Sequence, residues 1–339
     1  MNLINKSSLK QSVQRLIPFC LLLGIIAMSL LSLVGYIGWY LVLELLSHFR
    51  FQYLLISFIL FGCIALTRQK SLILIGLFCL ALNLTEIADW YIPEVGINSA
   101  TGNLRVLSSN INIKNSHYSK VISFVKKERP DIAIIMEVNE AGIKQLSSLN
   151  EILPYSVTST KSHPDQLGIV VYSKLPLDNT SVKFFGTSTN PSILADLKIN
   201  GQVISLIATH PPPPFKPALF QVRNQHLDEM SQYVQQLKNP VVLAGDLNIT
   251  MWSPYYRKFV SQTKLRNSRK GFGVLPSWPM KANYSHYSKI PPLLSSLVAI
   301  PIDHCLISPG LKVSNIRTGE NVNSDHLPLI IDLVIPKAQ

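Results

Sequence analysis

The sequence predicts an α/β protein of the α+β type, a four-layer α/β/β/α sandwich of two packed sheets, preceded by an N-terminal transmembrane helical region. Two observations support this prediction. The first 92 residues are dominated by Leu, Ile, Phe, Gly and Ala, whereas from Thr101 onward short apolar runs alternate with polar loops. Strand-length runs interleaved with a few helices are typical of two sheets that pack together and are flanked by helices.

Three apolar stretches in the N-terminal part approach the ~20 residues that a helix needs to cross ~30 Å of hydrocarbon. They are residues 17–40, 51–66 and 71–90. The middle stretch is short, so a re-entrant or interfacial hairpin is an alternative for it. The first stretch is longer than a signal-peptide core and further apolar stretches follow it, which disfavours a cleaved signal. We predict a membrane region with three transmembrane helices.

The positive charges beside these stretches predict the orientation, because Lys and Arg in short flanks are retained on the cytoplasmic side. Lys6, Lys10 and Arg15 precede the first stretch, and Arg68 and Lys70 lie between the second and the third. Three spans with a cytoplasmic amino terminus agree with this distribution. We predict a multi-pass protein of the cell (inner or plasma) membrane with its C-terminal domain outside the cytoplasm. An even number of spans would place that domain inside the cytoplasm.

The C-terminal part is basic. The six basic and four acidic residues before Ala100 leave 25 basic and 15 acidic residues in the rest, a net charge of +10. Such a domain attracts polyanions, and both nucleic acid and anionic phospholipid head groups are candidates between which charge alone does not choose. The sequence points to no particular protein partner.

Domain boundaries follow from the change in pattern. One Pro and two Gly interrupt the helical pattern within residues 93–103, which marks a linker. We therefore predict a membrane region over residues 1–92, this linker, and a C-terminal domain over residues 104–336.

Eight β-rich runs in the C-terminal domain predict strands. They are residues 104–109, 132–136, 168–172, 193–199, 203–209, 241–245, 304–307 and 329–334. The amphipathic stretches 118–128 and 219–237 have apolar residues at helical spacing and predict helices.

Several of these strands end in a polar residue that could bind a cation or a phosphate. The residues are Asn110, Glu137, His210, Asp246 with Asn248, Asp303, and Asp325 with His326. Any one of them is weak evidence, because a sequence such as Gly-Asp-Leu-Asn is also a common turn.

Taken together and in this order, the runs resemble the endonuclease/exonuclease/phosphatase (DNase I-like) superfamily, over residues 104–333. The most specific motifs are Gly-Asp246-Leu-Asn248 and Ser-Asp325-His326-Leu-Pro, and a supporting one is Ser-Trp278-Pro. The resemblance implies a membrane-anchored member of bacterial type that hydrolyses phosphate esters with a divalent metal, Mg²⁺ with Mn²⁺ as a possible substitute.

A phosphate ester resists attack because its anionic oxygens repel nucleophiles, and a hard divalent cation held by carboxylates neutralises that charge. Glu137 is the first candidate ligand. The resemblance implies that Asp325 and Asn110 complete the metal shell, and that Asn110 also contacts the phosphate. Some nucleases of the family carry an acidic residue where this chain has Asn112, so we expect a lean shell, weak Mg²⁺ binding and no tightly bound second metal.

The resemblance also implies the catalytic roles. His326 activates the attacking water or orients the scissile phosphate, and Asp303 fixes the His326 ring. Asp246 aligns the nucleophile, and Asn248 donates to a phosphate oxygen. His210 contacts the phosphate or protonates the leaving group, although a rigid loop corner before four prolines is an alternative for it.

The other histidines are expected to have no catalytic role. His304, beside Asp303, is predicted to be a packing residue or to support the site from behind. Four further histidines of the C-terminal part are predicted to be solvated, and they are His117, His163, His226 and His286.

Residues 257–270 are rich in Lys and Arg, and Tyr255, Tyr256 and Phe259 lie among or beside them. Such a segment could grip a nucleic-acid backbone and stack bases, and a solvated mobile loop is the alternative. The first functional hypothesis is therefore a nuclease acting on DNA or RNA. The second is a phospholipid or phosphoinositide phosphodiesterase or phosphatase. A catalytically inactive membrane-binding module is disfavoured, because the motif residues are all present.

Overall fold

A computed structural model of the chain describes residues 6–93, 102–159, 167–284 and 291–337. The chain divides into two compact units. The first comprises Met1–Asp89 with Trp252–Pro254, and the second comprises Trp90–Met251 with Tyr255–Gln339. Most of the predicted linker, and also His163 and His286, lie outside the described residues.

The first unit is helical. Its elements are α1 (Lys6–Leu33), a 3₁₀ turn (Val34–Tyr36), α2 (Leu41–Ser47), α3 (Arg50–Leu66) and α4 (Lys70–Ala88). Two helical stretches are long and apolar enough to cross a membrane, Leu16–Tyr36 and Lys70–Ala88. Helices α2 and α3 meet at a bend of 61° and make a third candidate if they form one span.

A buried polar contact joins three of these helices. The side-chain amide of Asn83 on α4 donates to the hydroxyl of Ser29 on α1 at 2.9 Å and to that of Ser57 on α3 at 3.2 Å. Hydrogen bonds of this kind hold apolar helices together, because lipid tails offer no alternative partner. Helix α3 is therefore bonded to the same amide as α1.

The second unit contains two six-stranded sheets. Their strand orders are β11-β12-β1-β2-β4-β3 and β5-β6-β7-β8-β10-β9. The first sheet comprises β1 (Leu104–Asn110), β2 (Ile132–Val138), β3 (Tyr155–Thr158), β4 (Gly168–Ser173), β11 (Lys312–Thr318) and β12 (Leu329–Val334). The second comprises β5 (Asp178–Phe184), β6 (Pro191–Ile199), β7 (Gln202–Thr209), β8 (Val241–Asp246), β9 (Arg266–Asn267) and β10 (Asp303–Ile307).

Helices accompany both sheets. They are α5 (Tyr118–Glu128), α6 (Glu140–Leu146), α7 (Pro217–Gln236), α8 (Pro254–Thr263) and α9 (Pro292–Val298). Val121 and Val125 of α5 pack on one face of the first sheet. Helix α7 buries Leu227 and Met230, which lie at helical spacing. The predicted class, two packed sheets with helices, is confirmed.

The two sheets pack face to face over one apolar core. Ile134 and Val171 of the first sheet belong to the same buried cluster as Leu206 and Ala244 of the second. Strands buried on both faces read as continuous apolar runs, as β2 and β8 do. Burial of these runs fixes how the sheets face each other, and with it the position of the strand ends.

Strand direction brings the candidate site residues to one edge. Strands β1 and β2 are parallel, and so are β7 and β8, so the carboxyl ends within each pair lie at the same edge. Strand β10 is antiparallel to β8 with Asp303 opposite Asp246. Strand β12 is antiparallel to β1, so His326, which precedes β12, emerges beside the end of β1.

Candidate active site

Six predicted site residues converge at this edge, and we call them the catalytic cluster: Asn110, Glu137, His210, Asp246, Asp303 and His326. Asn110 lies between the two central carboxylates. Its side-chain amide donates to Glu137 Oε1 at 2.8 Å and to Asp246 Oδ2 at 3.1 Å. The side-chain Oδ1 of Asn110 accepts from the backbone N–H of Asn112 at 3.0 Å. In this arrangement the amide of Asn110 holds the two carboxylates close together.

Glu137 is held in an unusual backbone conformation. Its φ of +56° is in the left-handed region, and the pairing of β2 with β4 slips between Met136 and Val138. A bulge of this kind re-aims a side chain, and such strain persists where the surrounding structure enforces it. Its consequence here is that Glu137 points to Asn110 and the rest of the cluster.

Asp246 is the central carboxylate and is 1% exposed. Its Oδ1 accepts from the backbone N–H of Asn248 at 2.9 Å. Burial raises the pKa of Asp246, but the positive charges of His326 and His210 outweigh burial and lower it to about 2. Asp246 is therefore an anion at neutral pH, as a metal ligand must be.

His210 faces both carboxylates. Its Nε2 lies 3.4 Å from Asp246 Oδ2 and 3.7 Å from Glu137 Oε1. Neither of its ring nitrogens makes a geometrically sound hydrogen bond to any residue that the structure describes, although the ring is buried. Burial lowers the pKa of His210, but Asp246 and Glu137 outweigh burial and raise it.

These three side chains fit a divalent cation. One ligand atom from each of Glu137, His210 and Asp246 lies within 4.8 Å of the others. Two carboxylate oxygens with one imidazole nitrogen form a donor set that Mg²⁺ or a transition metal accepts. A buried nitrogen without a hydrogen bond is the atom that such an ion would satisfy.

Asp303 and His326 form a pair on the other side of Asp246. The Nδ1 of His326 lies 2.9 Å from Asp303 Oδ2, and its Nε2 lies 3.7 Å from Asp246 Oδ2. The Trp278 ring packs on His326 with 6.4 Å between ring centroids. Burial lowers the pKa of His326, but the charges of Asp303 and Asp246 outweigh burial and raise it to about 10.

Asp325 lies beside the cluster. Its Oδ1 accepts from the amide of Asn112 at 3.0 Å, and its Oδ2 accepts from the indole N–H of Trp278 at 3.3 Å. Both oxygens are thus engaged with neighbours. Two groups of described residues could hold a metal, Glu137 with His210 and Asp246, and Asp246 with Asp303 and His326, and Asp325 belongs to neither. In this structure Asp325 orients Trp278, which packs on His326.

Two asparagine side chains hold the loop that follows β7. Asn248 donates its side-chain amide to the carbonyl of Pro211 at 2.9 Å, so this amide is directed at the loop. Asn190 donates to the carbonyl of His210 at 2.8 Å. Asn190 was not predicted as a site residue, because a lone Asn before Pro191 is typical of an ordinary turn.

The prediction that His226 is solvated is wrong. His226 is fully buried on α7, and its Nε2 lies 3.0 Å from the hydroxyl of Thr209, next to His210. Burial, and then the charge of His210, lower the pKa of His226 to about 3. Its helical spacing from Met230 and Arg223, both buried, is the signal that could have placed it inside.

The other two histidines that the structure describes in residues 102–337 have structural partners. His304 is fully buried and its Nε2 lies 2.8 Å from the carbonyl of Ile249, which agrees with its predicted packing role. His117 Nδ1 lies 2.9 Å from the amide of Asn323.

Two packed mixed sheets with carboxylates, a histidine and an Asp–His pair at one edge define the class of α/β-sandwich phosphoesterases. The chain belongs to the endonuclease/exonuclease/phosphatase family, whose model matches residues 104–326. Members of this family are hydrolases of phosphate esters and use divalent metals.

Solved structures share this fold. Caenorhabditis elegans TDP2 in truncated form is 18% identical with a TM-score of 0.55, over 68% of this chain and 98% of that one. Danio rerio TDP2 complexed with a single-strand DNA product is 14% identical with a TM-score of 0.53, over 68% and 99%. A Bacteroides thetaiotaomicron mannosyl-6-phosphatase is 17% identical with a TM-score of 0.52, over 69% and 100%. No curated protein matches the chain.

Proposed function

We propose that this protein is a membrane-anchored, divalent-metal-dependent phosphoesterase that cleaves its substrate by attack of water. The observation that carries the proposal is the joint position of two groups around Asp246. On one side, Glu137 and His210 complete a donor set for a cation. On the other, His326 is held by Asp303 with its Nε2 facing Asp246.

The residues would divide the work as follows. Glu137, His210 and Asp246 would hold the ion, which when bound neutralises phosphate charge and acts as a Lewis acid. Asp303 accepts a hydrogen bond from the Nδ1–H of His326 and thereby leaves Nε2 directed at the reaction site. His326, whose raised pKa of about 10 keeps its ring charged at neutral pH, would from there hold a phosphate oxygen. The neutral fraction of the ring would take the proton of the attacking water.

The metal is proposed to be Mg²⁺, with Mn²⁺ as a substitute. Two carboxylate oxygens suit Mg²⁺, and Mn²⁺ tolerates an imidazole ligand such as His210 more readily. Asn112 stands where some nucleases of the family carry an acidic residue, and both oxygens of Asp325 are engaged, so these two positions add no free carboxylate oxygen for a second ion. A single, weakly bound ion is therefore expected.

Nuclease activity on DNA or RNA is the first substrate proposal. It is supported by the basic charge of the second unit and by the DNA product in the similarly folded Danio rerio TDP2. The segment 257–270 contributes less than the sequence predicts. It forms α8 and β9 instead of a mobile loop, and Tyr256 and Phe259 are buried, so they cannot stack on bases.

The cations of that segment are also partly used inside the fold. Lys258 lies 2.7 Å from Asp228, and the Arg269 side chain is fully buried. Arg269 Nη1 lies 3.3 Å from His304 Nδ1. Burial lowers the pKa of Arg269 to about 10. A nucleic-acid backbone would therefore have to be gripped by other basic residues.

A phospholipid or phosphoinositide phosphodiesterase or phosphatase is the second candidate. The candidate membrane spans favour it because they keep the enzyme close to lipid head groups.

The proposal is tested with the full-length protein in detergent and in lipid nanodiscs, with and without Mg²⁺. Plasmid DNA, RNA, sphingomyelin and phosphoinositides are assayed in parallel. We expect metal-dependent hydrolysis of at least one substrate, and its loss in His326→Ala, which controls for contaminating enzymes. Hydrolysis that persists in EDTA, or at equal rate in His326→Ala, would overturn the proposal.

A further inference from the structure

Among the described residues of 102–337, exposed apolar side chains are concentrated in two segments. Phe215 is 72% exposed, and on α9 the exposed fractions are 53% for Leu294, 45% for Leu297 and 40% for Val298. We call these four residues the apolar rim. The other exposed large apolar side chains that the structure describes in residues 102–337 are on edge strands β3 and β5, namely Tyr155, Val182 and Phe184.

The apolar rim flanks the catalytic cluster in the chain and in the fold. Phe215 follows His210 by five residues, and Val298 precedes Asp303 by five residues. Strands β7 and β8 are parallel, and β10 is antiparallel to β8 with Asp303 opposite Asp246. The segment after β7 and the segment before β10 therefore leave the sheet at the edge where the cluster lies.

Restricted φ angles and hydrogen bonds hold the backbone of both segments in place. Phe215 directly follows four prolines, residues 211–214, whose φ angles are restricted. The carbonyl of the first, Pro211, accepts the hydrogen bond from the Asn248 side chain. After α9, the carbonyl of Ile300 accepts from the backbone N–H groups of Ser277 and Trp278, both at 3.1 Å. The apolar side chains are thus presented to solvent by ordered backbone.

We infer that the apolar rim is a bilayer-contact surface that seats the catalytic edge at the head-group level of the membrane. Apolar side chains exposed beside a site mark an interaction surface, and Phe and Leu are the side chains that enter the boundary between head groups and acyl chains. The neighbouring residue Lys216 is exposed and suits an anionic leaflet.

The position of a candidate membrane span in the chain supports a bilayer as the partner of the apolar rim. Helix α4, a candidate span, ends at Ala88, and Trp90 is already part of the second unit. The inference thus rests on the membrane anchor in the proposed function and deepens it. A phosphoester at the head-group level would reach the cluster without leaving the membrane, so a confirmed contact would favour the second substrate proposal, a phospholipid, over the first.

Depth-sensitive probes test the contact directly in the full-length protein. Cys20, Cys63 and Cys79 are replaced by Ser, and the remaining Cys305 is fully buried. An environment-sensitive NBD fluorophore is attached to Phe215→Cys or Leu297→Cys in vesicles of phosphatidylcholine and phosphatidylglycerol. The matched control is Val182→Cys on β5, which is 37% exposed and lies on an edge strand.

We expect blue-shifted emission at positions 215 and 297 that doxyl-labelled lipids quench, and emission at position 182 that aqueous iodide quenches. Equal iodide quenching at all three positions would overturn the inference. So would labels at 215 and 297 that are shielded from iodide but not quenched by the lipid, because a second copy of the chain or another protein would then cover the rim.

Turnover separates this inference from the proposed function. The double variant Phe215→Ser with Leu297→Ser should lose about tenfold or more in turnover of phosphoinositide in vesicles, the loss that ~1.4 kcal/mol of contact produces. It should retain wild-type turnover of the soluble ester bis(p-nitrophenyl) phosphate. Equal turnover of the vesicle substrate by the variant and the wild type would contradict the inference. A wild type that cleaves neither ester would leave the hydrolase proposal to the DNA, RNA and sphingomyelin assays, and the probe result would then decide the contact.

Discussion

His326 Nδ1 lies 2.9 Å from Asp303 Oδ2, and the two side chains are 6% and 0% exposed. The pair joins the two sheets, because Asp303 begins β10 of the second sheet and His326 precedes β12 of the first. Its geometry is that of an acid that orients a histidine, so the two residues should act as one unit.

The losses of kcat caused by replacing Asp303 and by replacing His326 should therefore be non-additive. We expect Asp303→Asn and His326→Ala each to lower kcat on the order of a hundredfold or more, in line with the roughly 10²- to 10⁴-fold contribution of a positioned acid or base. The double variant should be scarcely worse than His326→Ala alone. The measurement is a double-mutant cycle on kcat at saturating Mg²⁺, with circular dichroism as the control for folding. Fully multiplicative losses would show that the residues act independently.

Glu137 should be needed for metal binding. Glu137→Gln keeps the shape of the side chain but removes the charge that attracts a hard cation, so activity should fall on the order of a hundredfold. High Mg²⁺ or Mn²⁺ should restore part of it, because mass action offsets weaker binding. A metal titration of activity compares the variant with the wild type. An unchanged Mg²⁺ midpoint would exclude Glu137 as a ligand.

His226 should contribute to acid sensitivity. Its pKa is about 3 in the folded state, whereas an unfolded histidine titrates near ~6.5. Between these values the unfolded state binds more protons, so stability is lost as the pH falls from about 6.5 towards 3. We expect His226→Gln to reduce the difference between the melting temperatures at pH 7.5 and pH 5, measured on full-length protein in detergent. The same difference in variant and wild type would count against this account.

Asn190 should position His210 through its backbone. Asn190→Ala removes the hydrogen bond to the His210 carbonyl, which should cost about 1 kcal/mol of stability and lower kcat up to about tenfold. The matched control is Asn239→Ala, which removes the 3.3 Å bond to Ser205 near the start of β8, away from the cluster. We expect the control to keep wild-type kcat. Equal losses of kcat in both variants would point to a general effect on folding.

The number of spans should decide the side of the catalytic domain. If α2 and α3 form one span, an alkaline phosphatase fusion after Gln339 should be active outside the cytoplasm, and a fusion after Gln69 should be silent. The bond from Asn83 to Ser57 supports α3 as a member of the bundle. An active cytoplasmic reporter after Gln339 would instead show an even number of spans.

The predicted strands and the missed strands differ in one physical property. All eight predicted strands lie in the interior of a sheet, and the four missed strands, β3, β5, β9 and β11, are the four sheet edges. Interior strands such as β8 are buried throughout and read as continuous apolar runs. Strand β5 is exposed at nearly every residue, so its polar sequence reads as a loop.

For the candidate site, the sequence by itself determined the residue types and their order along the strands. Glu137, Asp246, Asp303 and His326 were identifiable because each belongs to a motif beside a recognisable strand end. The direction of a side chain is not encoded in such a motif. Asp325 and Asn248 match their motifs equally well, yet one bonds to Trp278 and the other to the Pro211 carbonyl.

Only the tertiary structure decided which groups meet. Asn110 and Asp246 are 136 residues apart in sequence and 3.1 Å apart at their hydrogen-bonding atoms, because the two sheets pack on a shared core. Tertiary contacts also buried Arg269 and His226, which local polarity would place in water. Local patterns record whether a residue prefers water or the interior, whereas the partners of a polar atom are set by contacts between distant segments, and these form only when the chain is folded.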